Sequence, residues 1–162
     1  MRPSTPRPIR NDDKIANFRS GVAELDEWIF ARSLSNEHRG ISRTMVSIDE
    51  DTGEIAGFYS LSAWAIGRST VSGWLARNSP DPIPVILLGQ LATSLDARGI
   101  QLGEDLLTQA VRAAYLAAEV LGARALVAEA INDSAASFYL YQGFKKVPGR
   151  ANLYALPLKP SN

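Results

Sequence analysis

The 162-residue chain contains no cysteine and a single histidine. The first absence excludes disulfides, thiolate metal sites and a cysteine nucleophile together. The second leaves His38 without a companion ligand, which argues against a metal site. His38 reads as a solvated side chain in a polar loop, Ser35 to Gly40. No run of about eighteen apolar residues is available to span a bilayer. The start, MRPSTPRPIR, has no apolar segment behind its arginines, unlike a secretory signal. No membrane partner and a cytoplasmic location are therefore expected. An excess of one charge sign is also missing: 17 basic residues balance 17 acidic ones, so the field of the whole molecule gives no argument for nucleic acid.

The distribution of charge says more. Arginine outnumbers lysine, thirteen to four, a preference that suits planar contacts to phosphate. Asp49, Glu50, Asp51 and Glu54 gather at one turn, and Lys145, Lys146 and Arg150 gather beside Gly143-Phe144. Solvated turns would account for both groups.

The length fits one domain, 1–162, burying about two thirds of the surface that an unfolded chain exposes. The proline-rich residues 1–8 are expected to be loosely ordered, with a short edge strand at Pro8 to Arg10. Leu25, Trp28, Ile29 and Arg32 recur at helical spacing behind a cap-like Ser20, which predicts a helix to about Leu34 with Trp28 anchoring it to a sheet. Thr44 to Ile48 and Ile55 to Ala65, joined through Asp49 to Gly53, read as a hairpin. Gly67 to Pro82 is rich in Ser, Gly, Pro and Arg and forms a candidate substrate-facing loop, with a helical turn near Ser72 to Arg77. Strands are expected at Val85 to Thr93, Ala125 to Ala130, Phe144 to Val147 and Asn152 to Leu158. Together they imply an α/β (α+β) mixed sheet with helices on both faces.

Two stretches carry chemistry. Leu102, Leu106, Leu107, Ala110, Val111, Ala114 and Ala118 give a long amphipathic helix, ended by Gly122. Ahead of it, Arg98-Gly99-Ile100-Gln101-Leu102-Gly103 brings two glycines and unpaired N–H groups to the positive end of the helix, a seat for pyrophosphate. The second stretch, Asn132 to Phe144, opens on a cap-like residue, runs as a short helix and stops at Gly143.

In this order the two stretches resemble the GNAT superfamily of acetyl-CoA-dependent N-acetyltransferases. The later motif is matched at Asn132, Ala135, Tyr139, Gly143 and Phe144, and the loop motif at Arg98 and Gly103. Gln101 stands where the family has its middle glycine, and its Cβ resists φ > 0. The resemblance implies a mostly antiparallel sheet splayed between its fourth and fifth strands. It also implies acetyl-CoA as co-substrate: the backbone of Leu91, Ala92 and Thr93 would pair with pantetheine. Arg98, Gly99, Gln101, Leu102, Gly103 and Glu104 would hold the pyrophosphate, with Asn132 and Ala135 also at the coenzyme.

Shorter strings, among them Ser42-Arg43-Thr44, Tyr59-Ser60-Leu61 and Pro82-Ile83-Pro84-Val85, are similar to those of bacterial toxin-antitoxin toxins that acetylate aminoacyl-tRNA. Gln90 departs from the basic residue expected there. The resemblance implies acetylation of the α-amine of aminoacyl-tRNA, with Tyr139 as general acid, dimerisation, and a ribbon-helix-helix antitoxin as partner. Arg43, Arg77, Lys145, Lys146 and Arg150 are candidates for RNA phosphate contacts. No strong general base is visible; an α-amine of pKa near 8 needs less help than a lysine amine. Two readings stand beside this one: a GNAT acetylating a protein or small-molecule amine, and a binding module whose pyrophosphate loop is spoiled by Gln101.

Overall fold

The computed structural model describes residues 1–159. Its elements, in chain order, are β1 (Arg7–Pro8), α1 (Ala23–Ala31), α2 (Ser33–Arg39), β2 (Arg43–Ile48), β3 (Ile55–Ile66), β4 (Ile83–Thr93), α3 (Leu102–Leu121), β5 (Ala125–Glu129), α4 (Asp133–Tyr141), β6 (Lys145–Lys146) and β7 (Leu153–Pro157). The strands form one mixed sheet ordered β1-β2-β3-β4-β5-β7-β6. The chain divides into two compact units, Met1–Ser62 with Gln90–Ala110, and Ala63–Gly89 with Val111 onward. Among the described residues no helix is long and apolar enough to cross a membrane.

In the first unit β2 and β3 form the expected hairpin, in register from Arg43↔Leu61 to Ile48↔Ile55. Phe58 lies at its centre, fully buried. Phe18 meets it edge-on at 5.3 Å, and Trp28 stacks on it at 6.0 Å, so Trp28 is the anchor the helical spacing predicts. Ser20 does not cap α1, which starts after Val22; its hydroxyl and N–H instead close a loop on Asp26 Oδ1 at 2.7 and 2.9 Å.

Two expectations fail here. Ser35 to Gly40 is not a loop but most of α2. His38 and Arg39 in its last turn favour the negative end of the dipole, and Gly40 ends it at φ 71°. The helix lacks an apolar period because Leu34 is its single apolar residue. Residues 1–8 are also tied down. β1 pairs with β2 at Arg7↔Val46 and Pro8↔Met45, one residue before the expected strand. Arg2 N–H donates to Asp49 Oδ1 at 3.0 Å, and the Arg2 guanidinium meets Asp51 at 2.6 Å. Asp49 is therefore a buried acceptor for Arg2, Asp51 and Thr52 rather than a solvated charge, and the Arg2 N–H in particular holds its carboxyl below the usual range.

α3 begins against bare backbone. A Cβ on Gly57 of β3 would fall 2.8 Å from Leu106 Cδ1, 2.9 Å from the Ala92 carbonyl oxygen and 3.2 Å from Leu102 Cδ2. Only hydrogen fits there, so the first turns of α3 lie flush on the strand.

In the second unit β5 pairs along its whole length with β7, from Ala125↔Pro157 to Glu129↔Leu153. It pairs with β4, in parallel, only at Ile86↔Leu126 and Leu87↔Val127. Within this unit Ala128 and Glu129 pair with β7 and not with β4. The core beneath is aliphatic: Ile83, Val85, Val127, Val147 and Leu153, with Trp64 and Trp74 against it.

The replacement Gly57→Ala should destabilise the fold by about 1–3 kcal/mol through overpacking. A lowered urea midpoint with an unchanged slope is expected; an unchanged midpoint would show that α3 can lift without cost.

Candidate active site

The loop before α3 lies in the first unit. Gly99 has φ 81° and Gln101 has φ 61°. Gln101 therefore adopts a left-handed backbone, at a cost of about 1 kcal/mol or more for an L side chain. The Gln101 carbonyl accepts the first helical bond, from Asp105 N–H at 3.2 Å. The N–H groups of Leu102, Gly103 and Glu104 precede that bond and have no intrahelical acceptor. At the positive end of a 20-residue helix they favour an anion. Arg98 is exposed, and its guanidinium runs past Gly21, where a Cβ would come within 3.3 Å. Leu91 and Thr93 are half-buried and Ala92 is buried, all on β4.

Tyr139 belongs to the second unit, on α4. Asn132 caps that helix: its Oδ1 accepts the Ala135 N–H at 2.8 Å. Gly143 turns the chain at φ 96°, and Phe144 N–H returns to the Tyr139 carbonyl at 3.0 Å. Asn132, Ala135, Gly143 and Phe144 therefore frame the helix that carries the tyrosine. The polar groups of Asn132 and Ala135 serve each other across the cap.

The Tyr139 side chain is only 7 % exposed. Its ring meets Phe144 at 5.4 Å, Phe138 at 5.7 Å and Tyr154 at 6.4 Å. Burial pushes its pKa up to about 12, because the phenolate would lose its hydration. This phenol is a protonated hydrogen-bond donor throughout the physiological range.

The basic candidates divide between the units. Arg43, in the first, is bound to Glu37 at 2.6 Å. Arg77, Lys145, Lys146 and Arg150 are in the second, the first three exposed and Arg150 half-buried. The loop 67–82 contains the expected helical turn, closed by Arg77 N–H on the Gly73 carbonyl at 3.1 Å. Sequence reasoning missed what fixes it. Arg124 donates to Ser79 Oγ at 3.1 Å and to the carbonyls of Trp74 and Arg77 at 3.0 and 3.2 Å. An arginine between a helix-ending glycine and a buried strand was the available signal. His38 bonds Asn11 Oδ1 at 3.1 Å, on the surface.

No family model matches the chain. A tRNA-acetylating toxin from Mycobacterium tuberculosis (strain ATCC 25618 / H37Rv) is 37 % identical over 145 residues, covering 90 % of this chain and 86 % of that protein. The chain belongs to the family of tRNA-acetylating toxins. Solved structures agree on the fold of these GNAT toxins. AtaT complexed with acetyl-methionyl-tRNAfMet superposes with a TM-score of 0.84 at 23 % identity, over 94 % of each chain. A tyrosine-to-phenylalanine mutant of AtaT, bound to acetyl-CoA and the C-terminus of its antitoxin AtaR, gives 0.78 at 22 % identity, over 95 % of this chain and 92 % of that one.

Within a tRNA-acetylating toxin, Gln101 is the residue most exposed to test. Gln101→Gly removes a left-handed L residue beside three donor N–H groups and should tighten acetyl-CoA binding severalfold in calorimetry. Weaker binding would reveal a contact made by the Gln101 side chain itself.

Proposed function

We propose that this chain transfers the acetyl group of acetyl-CoA to the α-amine of an aminoacyl-tRNA, ending the ability of that amine to form a peptide bond. The observation that carries the reading is Tyr139: a buried phenol with a pKa near 12, on a helix framed by the same residues that mark the acetyltransferase motif, in a chain of this toxin family. The donor loop of Arg98 to Glu104, with two left-handed residues and the free N–H groups of an α-helix, suits a pyrophosphate in charge and geometry. Leu91, Ala92 and Thr93 offer the strand backbone that pantetheine amides require.

Attack of the amine nitrogen on the thioester carbonyl forms the C–N bond and breaks the C–S bond. The nitrogen loses a proton to water, and the departing sulfur gains one. Tyr139 serves that sulfur. Against a thiol of pKa about 8.5, complete transfer from a phenol near 12 is uphill by about 5 kcal/mol. The hydroxyl therefore contributes chiefly as a hydrogen-bond donor aligned to the sulfur as charge builds. No charged base is needed for the nucleophile, since an amine of pKa about 8 is partly neutral at pH 7.

Arg77, Lys145, Lys146 and Arg150 are assigned to the RNA, and Arg43 is the weaker candidate because Glu37 already holds it. A cytoplasmic location follows from a tRNA substrate. The same reading carries a homodimer and a ribbon-helix-helix antitoxin whose C-terminal tail covers the active site.

Purified charged tRNA with labelled acetyl-CoA tests the activity directly; absence of transfer at high enzyme concentration would sink the proposal. Tyr139→Phe should lower turnover by roughly 100-fold or more, with acetyl-CoA affinity within about twofold of wild type; unchanged turnover removes Tyr139 from the reaction. The pH profile is a second check. Because burial raises the Tyr139 pKa, its proton is retained below about pH 10 and lost only on approach to 12. kcat/KM should climb through the amine pKa near 8 and then stay level to pH 9.5. A fall below pH 9 in wild type, absent in Tyr139→Phe, would contradict the burial effect.

A further inference from the structure

The zero net charge of the chain is the sum of two opposite units. Ala63–Gly89 with Val111 onward holds eight basic residues against four acidic ones, whereas the other unit holds nine against thirteen. The ion pairs found within the units, such as Arg7–Asp13 and Arg43–Glu37, all belong to the acidic unit. Among the described residues no cation of the basic unit forms an ion pair within that unit, which suits a polyanion.

Two of these cations are set on aromatic rings. The Arg150 guanidinium lies over Trp64 at 5.7 Å, and the Lys146 ammonium lies over Tyr154 at 5.6 Å. Lys146 also donates to the Arg150 carbonyl at 2.7 Å, and Tyr154 stacks on Tyr139 at 6.4 Å. A line of contacts thus joins the reactive phenol to the guanidinium. The turn bearing Arg150 is fixed in place. A Cβ on Gly149, at φ 94°, would fall 2.9 Å from the Thr70 carbonyl oxygen, and the Pro148 carbonyl accepts the Ser72 N–H at 3.0 Å. Trp64 itself packs on the aliphatic core of the unit. The guanidinium therefore sits over an indole that is itself held against the core.

Resting on the acetyl-transfer reading above, we propose that Arg150, backed by Trp64, is a stacking platform for an unpaired base at the 3′ end of the RNA. The aminoacyl ester is attached to that 3′ end, so gripping the adjoining base fixes the amine, which a grip on the distant duplex does not. Unpaired RNA bases stack on guanidinium planes as well as on aromatic rings, and the planar, weakly hydrated Arg does this where Lys does not. Lys145 and Lys146 then meet neighbouring phosphates as point charges.

The test compares wild type, Arg150→Ala and Arg150→Lys on uncharged tRNA, intact or trimmed of its unpaired 3′ nucleotides. Both variants should bind intact tRNA roughly tenfold more weakly than wild type, and all three proteins should bind trimmed tRNA alike. Because Arg150 meets a base and not a phosphate, both variants should keep the wild-type salt slope within about half a unit. In acetyl transfer, both variants should raise KM for charged tRNA with kcat little changed. Arg150→Lys binding as tightly as wild type, or equal losses on intact and trimmed tRNA, overturns the platform. If wild type acetylates charged tRNA and both variants match it, the platform alone fails. If wild type acetylates no charged tRNA, the acetyl-transfer reading fails and takes the platform with it.

Discussion

The absence of a side chain at Gly57 is the constraint on which the donor loop depends. Leu102 and Leu106 drop onto that glycine and onto the Ala92 carbonyl at distances no Cβ would allow. With the first turns of α3 held against β3, the preceding residues must reverse direction over very few positions. Gly99 and Gln101 do so by taking positive φ. The helix then starts abruptly, and its first N–H groups have no carbonyl to meet. The anion-favouring helix start follows from packing, with no cation needed to create it; the proposed pyrophosphate seat has Arg98 adding charge at its rim.

Desolvation plays the equivalent part around Tyr139. Four aromatic rings, those of Phe138, Tyr139, Phe144 and Tyr154, crowd one end of α4. They remove water from the phenol and so keep it neutral. The frame of Asn132 and Gly143 sets where α4 begins and ends, which fixes the facing of Tyr139 in its second turn. A motif that looks like a list of contact residues is in large part a device for starting and stopping one short helix.

Features carried by local chemistry were legible in the sequence. The hairpin, α3 and the Asn132 cap announce themselves through alternation, helical period and a polar residue before an apolar run. Trp28 was legible as an anchor for the same reason. What escaped depends on partners far along the chain. Nothing near Gly57 says that Leu106 will cover it, and nothing near Gly149 says that Thr70 will. α2 escaped because a helix with Leu34 as its single apolar residue has no period to read, and only Gly40 marked its end. The charge balance misled for a related reason: a total of zero hides an acidic unit beside a basic one in sequence space, because each unit is drawn from two separate stretches.

The division of labour that results fits the reaction without a dedicated base. β5 pairs with β7 over five positions and with β4 over two. An extended amide-bearing ligand recognised through its backbone is held without regard to side chains, which leaves specificity to whatever holds the other substrate. In the second unit two cations, Arg150 and Lys146, lie over the rings of Trp64 and Tyr154, and the platform proposed for Arg150 favours an anion carrying unpaired bases over a simple polyanion. Positioning of a partly neutral amine then replaces proton abstraction as the main requirement.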